Sequence, residues 1–240
     1  MSTQQVFQAS AEAKGKAKQL RLFAFLSWIV AIVGEVYAIL NLNTLLSEPN
    51  LIWLIVIIVA MLALAITGSV LWKKANRLDP ASEKDKFKFF VQSQLGAIMA
   101  VLAFLPLVIF IFTNKDADKK TKTIAGSVAA VALLIAGISG MDFNPPSIEK
   151  YTEEINAQTE TVKDLNFDRD HVYWTEHGVR YHIFEDCQHL ANSDVIHEGT
   201  VKECWDYRNQ KTEDRQSELC KTCENRARKN KEESPLETAA

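Results

Sequence analysis

The sequence predicts an α-helical membrane protein with four transmembrane helices, followed by a small α+β domain near the carboxyl end. Long apolar runs lie before residue 141, and all four cysteines lie after it. Charge divides in the same way: residues 1–140 carry 14 Lys and Arg against 8 Asp and Glu, whereas residues 141–240 carry 13 against 22. These contrasts exclude a single soluble globule, a fibrous repeat and a fully disordered chain.

The four apolar runs have the length of a membrane crossing. They cover 22–40, 51–72, 89–112 and 123–140, or 19, 22, 24 and 18 residues. At about 1.5 Å per residue, such helices extend roughly 27–36 Å, against a hydrocarbon core of about 30 Å. The first run is too long for the apolar region of a signal peptide and lacks a cleavage site after Leu40, so we expect it to stay.

Basic residues in the flanks predict the orientation of these helices. The amino-terminal tail 1–21 has four, the first connector none, the second connector six and the third connector four. With the amino terminus in the cytoplasm, ten basic residues lie inside and four outside, in the sense of the positive-inside rule. We therefore expect a multi-pass protein of the cell membrane with both termini in the cytoplasm, although the third connector opposes the rule.

Glu35 is the one acidic residue within the four runs, and Pro106 is the proline of the third run. An ionisable group in hydrocarbon is a candidate for proton or ion binding. Glu35 lies only six residues before Asn41, however, so its carboxyl group could instead reach water, be protonated or bond to a neighbouring helix. Pro106 removes one backbone donor and predicts a kink.

The fourth run and the tryptophans indicate packing. Small residues recur four apart in the fourth run, and the pairs are Ala125/Ala129, Gly126/Ala130 and Ala136/Gly140. This spacing lets helix backbones approach closely, within the bundle or between subunits, so a homo-oligomer through 123–140 is one expectation. Trp53 and Trp72 lie at opposite ends of the second run, where indole rings suit the two membrane interfaces.

Beyond the membrane the sequence predicts a linker and one small domain. Asn144-Pro145-Pro146 predicts a break in helical structure, and Ser147 is a candidate N-cap for the helix that follows. A thin apolar stripe predicts a linker or stalk helix within 141–167. In the domain 168–228, alternation on either side of His177-Gly178 predicts a β-hairpin, followed by a third short strand and a helix. We expect the tail 229–240 to be disordered.

Four residues of this domain have the types and spacing of metal ligands. A domain of about 60 residues buries little core and usually needs a metal or disulfides. Cys220 and Cys223 have the C-x-x-C spacing that lets two thiolates reach one ion, and His182 lies five residues before Cys187. Because zinc prefers four tetrahedral thiolate and imidazole ligands, these residues predict a structural Zn²⁺ site.

Other interpretations of these residues stay open. His189 and Cys204 are alternatives to His182 as the fourth ligand, although Cys204 lies beside Trp205 in a predicted helix, where a free thiol behaves as a small apolar group. Two disulfides would need an oxidising compartment. A redox C-x-x-C motif would open a helix in a thioredoxin-like unit, of which the sequence has no sign. Four unrelated free thiols are the remaining possibility.

The same residues resemble a small zinc-binding module. The pattern YW-T-x-x-G-x-x-YH-x4-C-x2-L, then EGT and a helix, then LC-x2-C, is similar to an accessory domain of bacterial proteins, including some secreted nucleases. It is similar in style to the metal-binding domain of the Ada repair protein. The matching residues are Tyr173, Trp174, Thr175, Gly178, Tyr181, His182, Cys187, Leu190, Gly199, Thr200, Cys220 and Cys223.

The resemblance implies a fold of one β-hairpin plus a helix, with a structural zinc ion held by His182, Cys187, Cys220 and Cys223. It covers about a quarter of the chain. The chain departs from the module at Cys204, where a small apolar residue is expected, and in the polar insert Asn209–Glu218.

Motifs favour a binding or regulatory module over an enzyme. The sequence has no Ser-His-Asp order, Walker A loop or paired-carboxylate motif, and three Cys with one His leave zinc no open position. The acidic carboxyl half repels phosphate, which disfavours nucleic acid. We expect helices in the lipid bilayer to anchor a domain that meets a protein partner. The alternatives are a small channel, transporter or transporter subunit that uses Glu35, and a membrane-bound metal hydrolase.

Overall fold

The computed structural model describes residues 6–211 and 217–237 and divides the chain into two compact units. The helical unit is Gly15–Pro145, and the terminal unit joins Met1–Lys14 to Pro146–Ala240. The helices of the first part of the chain are α1 (Ala11–Leu40), α2 (Leu42–Leu45), α3 (Leu51–Leu78), α4 (Lys86–Thr113) and α5 (Lys119–Gly140).

Four of these helices, α1, α3, α4 and α5, are long and apolar enough to cross a membrane, as the sequence predicts. They extend beyond the apolar runs, because backbone hydrogen bonding continues into polar flanks until a cap ends it. Asp85 caps α4 by accepting the N–H of Lys88, and Asp118 caps α5 by accepting the N–H of Thr121, each at 3.1 Å.

Five of the six predicted small residues of α5 are buried in the helical unit, where α5 packs against α3 and α4, and Ala130 is half-buried. The closest approach is at Gly140, where an added Cβ would lie 2.4 Å from the carbonyl carbon of Gly96. The opposite face of α5 is apolar and exposed at Val131, Leu134 and Ile138. A homo-oligomer through 123–140 stays a prediction.

Two tryptophans hold α1, α3 and α4 together. Trp28 is 1% exposed and donates its indole N–H to the carbonyl of Ala65 at 3.3 Å. Trp72 donates to the carbonyl of Gln92 at 2.7 Å. The ring of Trp72 thus packs within the unit, and its position at a membrane interface stays a prediction. Trp53 is exposed.

The terminal unit combines short strands with three helices among the described residues. Its elements are α6 (Ile148–Leu165), β1 (Val172–Thr175), β2 (Arg180–Tyr181), β3 (Ile196–Gly199), α7 (Val201–Lys211), β4 (Glu218–Leu219) and α8 (Lys221–Glu237). Strand β1 pairs antiparallel with β3, and β2 pairs parallel with β4.

The predicted hairpin is reduced to one antiparallel bridge between Tyr173 and His182. In the turn, the N–H of Gly178 donates to Oγ1 of Thr175 at 3.1 Å. The ladder of β1 is instead formed with β3, which pairs Val172 with Gly199.

Helix α6 is part of the terminal unit's core, not a stalk. Ser147 caps it as predicted, by accepting the N–H of Lys150 at 3.0 Å. Its residues Ile155 and Val162 are fully buried, in one cluster with Trp205 of α7. The thin apolar stripe is sufficient because helices α7 and α8 pack against α6.

Helix α8 continues to Glu237, so most of the tail expected to be disordered is helical. Residues 238–240 of that tail lie outside the described residues. So do residues 1–5 of the amino-terminal tail and 212–216 of the polar insert.

Candidate metal centre

Four buried side chains of the terminal unit converge: His182, Cys187, Cys220 and Cys223. Their ligand atoms all lie within 4.8 Å of one another. Nδ1 of His182 is 3.6 Å from Sγ of Cys223. A tetrahedral zinc ion with Zn–S near 2.3 Å and Zn–N near 2.05 Å places a sulfur and a nitrogen about 3.6 Å apart. The cluster therefore has the donor types and the spacing for one tetrahedral ion.

The parallel pairing of β2 with β4 brings His182 and Cys220 together. Tyr181 lies opposite Leu219, and the N–H of Cys220 donates to the carbonyl of Tyr181 at 2.9 Å. Each ligand is the next residue after its strand. Helix α8 begins directly after Cys220, so Cys223 stands in its first turn on the same side of the site.

A short turn supplies Cys187. Its N–H donates to the carbonyl of Phe184 at 3.3 Å, and its carbonyl accepts the N–H of Leu190 at 2.8 Å. Arg226 of α8 fastens this turn: its guanidinium donates to Asp186 at 2.7 and 2.9 Å and lies 4.3 Å from the ring centre of Phe184. The sequence does not predict this ion pair, called the clamp below, because two exposed charges 40 residues apart carry no local signal.

His182 is neutral at physiological pH and so can act as a ligand. Burial lowers the pKa of His182 to about 4, and His189, Arg208 and Arg180 act in the same direction. A neutral imidazole keeps a lone pair on one nitrogen, which a metal ion requires.

The thiol of Cys223 would be costly to ionise without a cation. Burial raises the pKa of Cys223 to about 12, with Cys187 adding to the effect against lowering by the backbone N–H groups of Phe184 and Ile183. At Cys220, burial also raises the pKa, but hydrogen bonding from the backbone of Cys223 and Thr222 brings it below its usual value. A dication in the site deprotonates such thiols outright.

Neither alternative fourth ligand joins the cluster. His189 is exposed, and its Nε2 lies 3.1 Å from Oγ1 of Thr222. Cys204 is fully buried in the separate core that contains Trp205, where its Sγ lies 3.6 Å from Oγ of Ser217. Burial raises the pKa of Cys204, so this thiol behaves as a small apolar group. None of the four cysteines, all of which lie within the described residues, forms a disulfide.

The donor set of the cluster is that of a closed tetrahedral site. Four protein ligands fill the tetrahedron, whereas catalytic zinc keeps one position for water. Of the two carboxylates that precede Cys187, Glu185 is exposed and Asp186 is bound to Arg226.

The intramembrane candidate Glu35 is 3% exposed. Its Oε1 accepts the backbone N–H of Leu107 at 3.2 Å. Leu107 directly follows Pro106, whose ring disturbs the regular bonding of α4. Of the environments considered for this carboxyl group, a bond to a neighbouring helix is therefore the one observed. The sequence signal for its partner was Pro106 itself.

Comparisons of the chain with models of protein families, with curated proteins and with solved structures found no match. The resemblance to a bacterial zinc-binding module gains no support from them. Fold and site define a class of protein: four helices suited to a membrane, joined to a small domain with a buried His/Cys₃ cluster that could hold a metal ion.

Proposed function

We propose that the protein is a membrane-anchored binding or regulatory module whose terminal domain is held together by one structural Zn²⁺ ion. The buried cluster of His182, Cys187, Cys220 and Cys223 carries this proposal. Three thiolates and an imidazole are soft donors that select zinc over Mg²⁺ or Ca²⁺. A site closed by four protein ligands is the structural kind, in which the ion stabilises the fold.

The cytoplasm is the proposed location of this domain. Thiols stay reduced there, as a zinc–thiolate site requires. The basic flanks of the helices support the same side of the membrane. The partner we propose is a protein, because the acidic carboxyl half disfavours nucleic acid.

A small channel, transporter or transporter subunit is the second candidate. Glu35, a buried carboxyl group among apolar helices, is the observation that favours it. Its bond to Leu107 also gives Glu35 a structural role, so the anchored module ranks first. The closed metal cluster and the engaged Asp186 place a metal hydrolase last.

The test is metal and thiol analysis of the full chain purified in detergent without chelators. We expect one zinc per chain and four reduced thiols. Cys223→Ser should lose the metal, whereas Cys204→Ser, which removes a cysteine outside the cluster, should keep it. A metal-free chain with two disulfides would overturn the zinc site, place the domain outside the cell and reverse the proposed orientation.

A further inference from the structure

Phe7 lies some 140 residues before α6 in sequence, yet it is 1% exposed within the terminal unit. Its ring meets Tyr151 of α6 edge to face, with 5.1 Å between ring centres, and Tyr151 packs on Trp205 of α7 at 5.8 Å. The backbone N–H of Phe7 donates to Oγ1 of Thr152 at 3.0 Å. One aromatic side chain and one backbone group are thus held together, as in the recognition of an extended peptide.

The segment around Phe7 is irregular, and Ala9 packs partly buried against the same cluster as Phe7. Residues 6–10 form neither helix nor strand, and Val6 and Gln8 on either side of Phe7 are exposed. Ser10 ends the segment by capping α1, through the N–H of Ala13 at 3.1 Å. Ordering five residues costs conformational entropy, which the burial of Phe7 and part of Ala9 has to offset.

We propose that residues 6–10 are a reversible strap, and that the groove formed by Tyr151, Thr152, Ile155 and Trp205 is a binding site for an extended segment with one aromatic side chain. The strap is the occupant of this groove in the resting chain. A segment of a partner protein with the same chemistry would have to displace the strap. The strap therefore inhibits binding of the partner. This inference rests on the proposed function for its regulatory meaning, and its contacts lie outside the metal cluster.

The topology of the chain permits this arrangement. The strap precedes the first membrane-crossing helix, and the domain follows the fourth. An even number of crossings returns the chain to the side from which it started, so strap and groove share one compartment in either orientation.

The first test is hydrogen exchange of the wild-type full chain in detergent. If the strap detaches by itself, the amide of Phe7 exchanges about tenfold or more faster than the amide of Cys204, which is bonded inside α7. Equal rates would show that the segment opens only when the whole domain unfolds, and would overturn the proposal.

The second test uses Phe7→Ala in the full chain and a fluorescent peptide with the sequence of residues 4–12. The variant should bind the peptide about tenfold or more tightly than the wild type, whose own strap competes. A peptide with Phe7→Ala should not bind, and Val6→Ala, at an exposed position, should leave the chain like wild type. If the zinc-loaded Phe7→Ala chain does not bind the peptide, the proposed binding site is wrong. Peptide binding by a chain without zinc would overturn the metal proposal and leave the strap intact.

Discussion

The two units of the chain pack by different means. In the helical unit, α3, α4 and α5 follow one another in sequence and approach closely through small residues such as Gly96 and Gly140. In the terminal unit, the decisive contacts join distant parts of the chain, such as Phe7 with Tyr151 and Tyr181 with Leu219. In the terminal unit, a candidate ion site joins distant parts of the chain. In the helical unit, close packing of small residues takes that role.

Removal of one thiol should have the largest effect and should separate the two units. Cys223→Ser takes one ligand from the cluster, and structural zinc contributes on the order of 10 kcal/mol to the folding of such domains. We expect the terminal unit to unfold while the helical unit still inserts into membranes. Limited proteolysis and zinc analysis of the full chain check this result. Cys204→Ala is the control, and a Cys223→Ser chain with a protected terminal unit would contradict the prediction.

The matched experiment in the helical unit uses two glycines of α5. A Cβ at Gly140 would lie 2.4–2.6 Å from backbone atoms of Gly96 and Ala97, so Gly140→Ala must push the helices apart. We expect a loss of roughly 1–3 kcal/mol. Gly137→Ala, with nothing within 4 Å of the new methyl group, is the control. Unfolding of both variants in detergent measures the difference, and equal stabilities would show that the close contact is unimportant.

The two units also differ in how much of each could be predicted from sequence. The four apolar helices, the Ser147 cap and the candidate ligands follow from local composition and spacing. The pairing of β1 with β3 does not, because a four-residue strand has no local preference between two partners. Nor could the burial of Phe7 be predicted, since its groove exists only after α6 and α7 have packed.

Substitutions of Glu35 distinguish a proton or ion role of its carboxyl group from a purely structural one. Its carboxyl group accepts the N–H of Leu107 beside Pro106, so Glu35→Leu should cost about 1–3 kcal/mol by leaving a buried donor unpaired. Glu35→Gln keeps a carbonyl acceptor and should be close to wild type. In a Pro106→Ala background, where α4 can bond regularly, the cost of Glu35→Leu should shrink. An undiminished cost, or a loss of function in Glu35→Gln at normal stability, would favour the proton or ion role.

The smallest expected effect concerns the clamp between Arg226 and Asp186. Both side chains are exposed, so their ion pair adds little to overall stability in water. The clamp nevertheless joins the Cys187 turn to α8, which carries Cys223, and so limits how often the cluster opens. Asp186→Ala should therefore leave zinc content unchanged but speed zinc transfer to a chelator a few-fold. Glu185→Ala, at the exposed neighbouring position, is the control. Equal transfer rates would mean that strand pairing between β2 and β4 suffices to keep the site closed.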